Sequence, residues 1–202
     1  MALVKYNNNS LSAITSTGLS AGAMTLIKEQ TASSSANVTF VHGTSDVVLD
    51  GTYPIYLFKF INCHPATNDV EFQFNFRDGG SSYDATKTTT AFNAYHREND
   101  SDTGLDYSTS GDLAQSTSFQ RLMRITNQND NSGAGTLQIF SPSSSTFVKH
   151  FICRSNTAVH DDSSGNSHYA GYFNTTTALT RFQFKMSSGN IDSGVIKLYG
   201  IS

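Results

Sequence analysis

Tryptophan is absent from this 202-residue chain, and cysteine, proline and charged residues are scarce. The chain has two cysteines, which are too few for the disulfide framework of a small secreted domain. No apolar run approaches the roughly 20 residues that a membrane-spanning helix needs. Charged residues make up 14% of the sequence, against roughly 25% in ordinary soluble domains. With a net charge of −3, the chain lacks the excess of positive charge that attracts nucleic acid. We therefore expect neither a membrane nor a nucleic acid as its partner.

Small polar residues are abundant in this chain, where charged residues are few. Ser, Thr and Asn together account for 67 of the 202 residues. A surface of this kind suits contact with protein or sugar surfaces, since it brings little charge repulsion. Strands and turns also favour these residue types, so the composition leaves both explanations open.

The N-terminus and the cysteines favour a protein made in a reducing cytosol. Residues 1–7 lack the charged and then apolar pattern of a secretory signal. Cys63 and Cys153 each end an apolar, strand-like segment. We expect both to be buried free thiols.

Period-two alternation is the main structural signal. Between Glu71 and Arg77, Phe72, Phe74 and Phe76 alternate with polar residues, as in a half-buried strand. The Asp78-Gly79-Gly80 turn then predicts a hairpin to a second strand over 83–92. Similar patterns predict further strands at 24–30, 37–41, 55–63, 119–126, 135–140, 146–154, 169–174, 179–186 and 194–201. Only 113–123 could hold a helical turn. The fold class predicted is all-β, an antiparallel β-sandwich of the jelly-roll type.

The two ends of the chain differ in character. Residues 1–22 have no sustained periodicity and predict an extended N-terminal arm ahead of a sandwich domain over 23–202. The last residues predict strand, Gly-rich turn and strand. Val195 and Tyr199 fall on one face of the final strand, and Ile196 and Leu198 fall on the other. A strand that is apolar on both faces belongs inside a sandwich, so we expect a buried C-terminal hairpin.

Two stretches, 98–118 and 160–168, exceed ordinary hairpin loops and are natural places for function. Asp100, Asp102 and Asp106 provide oxygen ligands, but their spacing around Gly104 fails the EF-hand pattern, which leaves an irregular calcium site open. No zinc-ligand spacing occurs. The prediction is therefore no metal and no cofactor.

Catalytic patterns are lacking as well. The sequence has no Gly-x-Ser-x-Gly elbow and no phosphate-binding loop, and it contains only three Glu residues. We expect no enzymatic activity.

Sugar binding remains an alternative. Lectin-like sites combine exposed aromatic rings with side chains that hydrogen-bond to hydroxyls. Side chains of this chemistry lie in or beside the two long segments, and the candidate glycan ligands are Tyr95, Arg97, Tyr107, His168 and Tyr169.

Several segments together resemble a known group of proteins. They are 53–61 (YPIYLFKFI), 112–117 (DLAQST), 147–151 (FVKHF), 170–176 (AGYFNTT) and the ending 187–201 (SSGNIDSGVIKLYGI). Over most of its length the chain is similar to structural proteins of tailed bacteriophages, particularly those of marine bacteria and cyanobacteria. The resemblance implies a non-enzymatic virion protein of the tail fibre or host-attachment apparatus. It also implies a homotrimer that assembles in the host cytoplasm and contacts other virion proteins through residues 1–22.

Two alternatives stay open beside that reading. The protein could be a head decoration or cement protein on the capsid, or a carbohydrate-binding module. An attachment protein could also recognise a host surface glycan or protein.

Overall fold

The computed structural model describes residues 23–159 and 162–202, and within them the regular structure consists of twelve strands. None of the described residues forms a helix, so none of them forms a helix able to cross a membrane. In chain order the strands are β1 (Met24–Ser35), β2 (Val38–Val41), β3 (Ile55–Pro65), β4 (Val70–Arg77), β5 (Lys87–Arg97), β6 (Thr103–Tyr107), β7 (Gln120–Ile125), β8 (Gly133–Phe140), β9 (Lys149–Val159), β10 (Ser163–Phe173), β11 (Arg181–Met186) and β12 (Ile191–Ile201).

Two antiparallel sheets form the layers of a β-sandwich. The large sheet has eight strands in the order β1-β12-β3-β8-β9-β10-β5-β6, and the small sheet has four in the order β2-β11-β4-β7. Eight of these strands pair from the outside inwards: β1 with β12, β2 with β11, β3 with β8 and β4 with β7. Successive pairs alternate between the two sheets. This nested order is that of a jelly roll, and it confirms the predicted fold class.

The other four strands are insertions into this jelly roll. Strands β5 and β6 come between β4 and β7, and β9 and β10 come between β8 and β11. Both insertions join the large sheet beyond β8, in the order β9-β10-β5-β6. The large sheet therefore has twice as many strands as the small one. We call these four strands the wing.

Phenylalanine dominates the core between the layers. Ten of the 14 Phe residues are buried there. Phe76 is an example, with its ring centroid 3.9 Å from that of Phe182 and 4.3 Å from that of Phe173. The alternation of Phe72, Phe74 and Phe76 therefore marks the inner face of β4, as the sequence predicted.

Two lysines are buried at the wing end of the core. Lys87 and Lys149 lie on either side of Phe173 in the strand register, and both are fully buried. Lys87 Nζ donates to the carbonyl of Ser118, and Lys149 Nζ donates to that of Thr175 at 3.0 Å. Burial lowers the pKa of Lys87 to about 7 and also lowers the pKa of Lys149.

Two predicted hairpins are wrong. Residues 78–80 do not join paired strands, because β4 lies in the small sheet while β5 pairs with β10 and β6 in the large one. Strands β11 and β12 are likewise in different sheets, so the C-terminal segment crosses from one layer to the other. Its final strand is nevertheless internal, because β12 lies between β1 and β3.

The two predicted long loops are partly strand. Strand β6 lies within 98–118, and β10 begins at Ser163, within 160–168. Residues 113–119 contain no helical turn, and β7 follows them. The predicted arm, residues 1–22, lies outside the described residues, as do His160 and Asp161.

Candidate functional site

The outer face of the large sheet is the face that points away from the small sheet. In β9 the burial alternates strictly, with Phe151, Cys153 and Ser155 buried and the residues between them exposed. The exposed set continues on neighbouring strands through the register. This outer face spans all eight strands, about 34 Å at the usual strand spacing of roughly 4.8 Å.

One row of side chains crosses the whole outer face. Each member lies opposite the next in the strand register. From β6 to β1 the row consists of Tyr107, Phe92, His168, Arg154, Thr136, Lys59, Lys197 and Glu29. We call it the cation–aromatic band. It is aromatic at the wing edge and cationic in the middle. At the β1 edge it ends in an ion pair between Lys197 Nζ and Glu29 Oε2 at 2.8 Å.

Apolar side chains occupy the outer face on one side of this band. The apolar members of the adjacent register rows are Ile152, Leu57, Tyr199 and Leu26, followed by Ile55, Ile201 and Met24. Gln138 lies between Ile152 and Leu57, and Leu57 itself is buried. Leu26 and Ile152 are each 50% exposed, and Met24 is 44% exposed. We call these seven residues the apolar half. Three of the seven, Met24, Leu26 and Ile152, are exposed large apolar side chains.

The aromatic end of the band is held in a fixed arrangement. The Phe92 and His168 rings stack with centroids 4.6 Å apart and planes 7° from parallel. Tyr107, on the far side of Phe92, donates its hydroxyl hydrogen to Asp112 Oδ2 at 2.7 Å. Phe92 remains 44% exposed and Tyr107 55% exposed. Both rings are thus presented to solvent in defined positions.

Arg154 supplies the charge at the centre of the band. It lies opposite His168 on one side and Thr136 on the other. Its side chain is exposed and makes no ion pair with any described residue. With Thr136, Asn156 and Asn166 it borders a shallow depression of about 350 Å³. Asn166 Oδ1 has no hydrogen-bond partner among the described residues, so an acceptor beside this depression is unused.

Charge is segregated on this molecule. Of the 16 acidic residues, two occupy outward positions on the described strands of the large sheet: Glu29, paired with Lys197, and Asp192, whose Oδ2 lies 3.5 Å from His64 Nδ1. Arg154, Lys59 and Lys197 occupy the same face. The outer face is therefore cationic on a chain whose net charge is −3.

The five sequence-predicted glycan residues do not come together. Tyr107 and His168 lie in the band, with Phe92 between them. Side chains alternate along β5, and Phe92 points to the outer face. Tyr95 and Arg97 therefore point to the other face of the sheet. There Tyr95 donates to Asp102 Oδ2 at 3.2 Å, and Arg97 Nε lies 3.8 Å from the same atom.

Tyr169 is a core residue. It is 1% exposed, and its hydroxyl oxygen accepts a hydrogen bond from Arg121 Nε at 2.9 Å. Burial raises the pKa of its hydroxyl. A ligand cannot reach this ring in the folded protein, so Tyr169 drops out of the candidate set.

Sequence reasoning missed Phe92, Arg154, Thr136 and Asn166. The alternation in 149–157 could have shown that Arg154 shares an exposed face with Ile152. Nothing local, however, shows that β10 lies between β9 and β5, and that register alone places Arg154 beside His168 and Phe92.

The acidic segment that raised the question of calcium is engaged in protein contacts. Asp100 Oδ1 lies 3.0 Å from His96 Nε2, and Asp102 contacts Tyr95 and Arg97. No group of three or more His, Cys, Asp or Glu side chains suited to a metal ion occurs in the described part of the chain.

Comparison with known proteins adds no assignment, since no protein-family model, curated protein sequence or solved structure matches this chain. Functional inference therefore rests on the residues of the outer face.

Proposed function

We propose that this chain is a non-enzymatic structural protein of a tailed-bacteriophage virion, acting as a homotrimer in the tail fibre or host-attachment apparatus. The jelly-roll fold supports this proposal, because it is common in viral coat and sugar-binding domains. The sequence resemblance described above points to the same class of protein.

The observation that carries the proposal is the set of exposed apolar, aromatic and cationic side chains on the outer face of the large sheet. Its apolar half gives copies of the chain a surface on which to pack, with Leu26 and Ile152 half exposed on each subunit. Its cation–aromatic band remains as a separate surface for a second partner. A protein that both assembles and attaches needs two such surfaces.

Adsorption competition tests the attachment role. Purified protein added to host cells should bind them and reduce adsorption of the phage that carries it. If the trimeric protein does not bind host cells at micromolar concentration, the attachment role is contradicted.

The head decoration alternative gives a different result. A decoration protein should bind empty capsids stoichiometrically, and removal of residues 1–22 should release it. Capsid binding without cell binding would place the protein on the head instead of the tail.

A further inference from the structure

We propose that the cation–aromatic band binds an acidic polysaccharide, one whose sugar units carry carboxylate groups, with Arg154 as its central anchor. This inference deepens the proposed attachment function and rests on it for its biological setting. The binding itself is a property of the purified chain and can be tested apart from any virion.

The charges on the outer face indicate that the ligand is negatively charged. Arg154 and Lys59 stand on the outer face with Thr136 between them, and neither is neutralised by a described carboxylate. Of the outward acids on these strands, Glu29 is paired with Lys197, and Asp192 lies against His64 outside the band. An anionic group centred on Arg154 and Lys59 would meet cations, whereas the Asp112 carboxylate lies at the aromatic end of the band, bound to the Tyr107 hydroxyl. The arginine fork is suited to a carboxylate because it can donate two parallel hydrogen bonds.

The polar groups near Arg154 identify a ligand rich in hydroxyls. Thr136 and Asn166 border the depression beside the guanidinium group. Neither the Thr136 hydroxyl nor the Asn166 Oδ1 has a hydrogen-bond partner among the described residues. Sugar hydroxyls both donate and accept, so they can pair with the Thr136 hydroxyl, whereas an apolar partner would leave it without a hydrogen bond.

The aromatic end supplies the apolar contact that sugar rings use. Phe92 is covered on one side by His168, and its remaining 44% exposure leaves ring surface for the carbon-bound face of a sugar. The hydrogen bond from Tyr107 to Asp112 fixes a second ring next to it. Rings held in place before binding lose little conformational entropy when the ligand arrives.

The shape of the site favours a polysaccharide over a nucleic acid. The band is a row of about 34 Å with three cations, on a chain with net charge −3. A polynucleotide is usually bound by strongly basic surfaces. An acidic polysaccharide carries several hydroxyl groups on each unit besides its charge, and these match the hydroxyl and amide groups beside Arg154.

Direct binding to polygalacturonate tests the proposal. Fluorescently labelled polygalacturonate would be titrated with the purified full-length protein at low ionic strength. Neutral dextran and a single-stranded oligodeoxynucleotide of matched charge would be measured in parallel. We expect binding to polygalacturonate, weaker binding with added salt, and at least tenfold weaker binding to both comparison polymers.

Matched variants locate the site. Arg154→Gln should weaken polygalacturonate binding about tenfold, the usual loss when a charged hydrogen bond is removed. Arg181→Gln removes the same charge from β11 in the small sheet and should change affinity less than about twofold. Phe92→Ala should weaken binding at every salt concentration, because it removes ring contact and not charge.

Three results would overturn the proposal. They are equal losses for Arg154→Gln and Arg181→Gln, oligonucleotide binding as tight as polygalacturonate binding, or no polygalacturonate binding by a protein that retains its native melting temperature. In the last case, continued binding to host cells would leave the attachment function standing and reject only the acidic-sugar ligand.

Discussion

Phe92 on β5 and His168 on β10 stack face to face on the outer side of the large sheet, 4.6 Å apart. The stack is on the surface, so its loss should cost little stability. We expect Phe92→Ala to lower the free energy of unfolding by about 1 kcal/mol. Phe76→Ala removes a fully buried ring that contacts Phe173 and Phe182 and should cost about 3–5 kcal/mol. Urea denaturation of the two variants measures both values.

That comparison separates a surface role from a structural one. If Phe92→Ala were as destabilising as Phe76→Ala, Phe92 would belong to the core, and its part in ligand binding could not be isolated.

Lys87 should make stability depend on pH. Burial lowers its pKa to about 7 in the folded chain, against 10.5 as the ordinary value. Between these values the unfolded chain binds more protons, so this residue makes stability rise with pH from about 7 to 10.5. Below pH 7 Lys87 is protonated in both states, and the penalty for burying its charge is fully present.

Lys87→Met removes that penalty. The melting temperature of the variant, relative to the original protein, should be highest below pH 7 and should decline steadily as pH rises to 10. Differential scanning calorimetry from pH 6 to 10 measures the difference. A difference that stays constant over this range would mean that Lys87 keeps its charge when folded.

Cys63 and Cys153 should be inert in the native protein. Both are free and buried, and burial raises the pKa of Cys63 to about 12 and raises that of Cys153 as well. Only the thiolate is reactive. We expect a thiol reagent at pH 8 to modify neither cysteine until denaturant is added, and then both. Ser101→Cys, at an exposed turn, should react at once and serves as the positive control. Rapid labelling of the native protein at two sites would contradict this burial.

The apolar half should hold the copies of the chain together. We expect the protein to have a native mass three times the 21.9 kDa of one chain. Leu26→Lys places a charge in the apolar half and should lower the native mass to that of one chain, because burying an unpaired charge is costly. Leu105→Lys makes the same substitution at the opposite edge of the sheet, where Leu105 is 70% exposed, and should leave the native mass unchanged. Light scattering distinguishes these outcomes, and dissociation by both variants or by neither would reject the interface.

The strands of the core could be predicted because their patterns are local. The alternation of Phe72, Phe74 and Phe76, and the apolar faces of β3, follow from burial on one or both sides of a strand. Strands in the wing gave weaker signals. Gly165, Asn166 and Ser167 are poor strand formers, and they are extended because β9 and β5 pair with them from both sides.

The candidate site could not be predicted as a unit, because its members come from separate insertions. Tyr107 and His168 were selected for their chemistry, and both lie in the band. Tyr95 and Tyr169 were selected on the same grounds and face the other way, since a shift of one residue along a strand reverses the side chain. Arg154 could be assigned to the candidate site only from the register between β9 and β10, which places it opposite His168.

Hydroxyl-radical footprinting of the native protein, with and without polygalacturonate, tests the two-surface account most directly. Phe147 is 72% exposed in the loop between β8 and β9 and serves as the internal reference. The account predicts that Met24, relative to Phe147, is oxidised more slowly in the native protein than in the Leu26→Lys variant, with or without the polysaccharide. It also predicts that Phe92 and Tyr107 become protected only when the polysaccharide is present. Oxidation of Met24 in the native protein as fast as in the Leu26→Lys variant, or an unchanged rate at Phe92 with ligand bound, would contradict it.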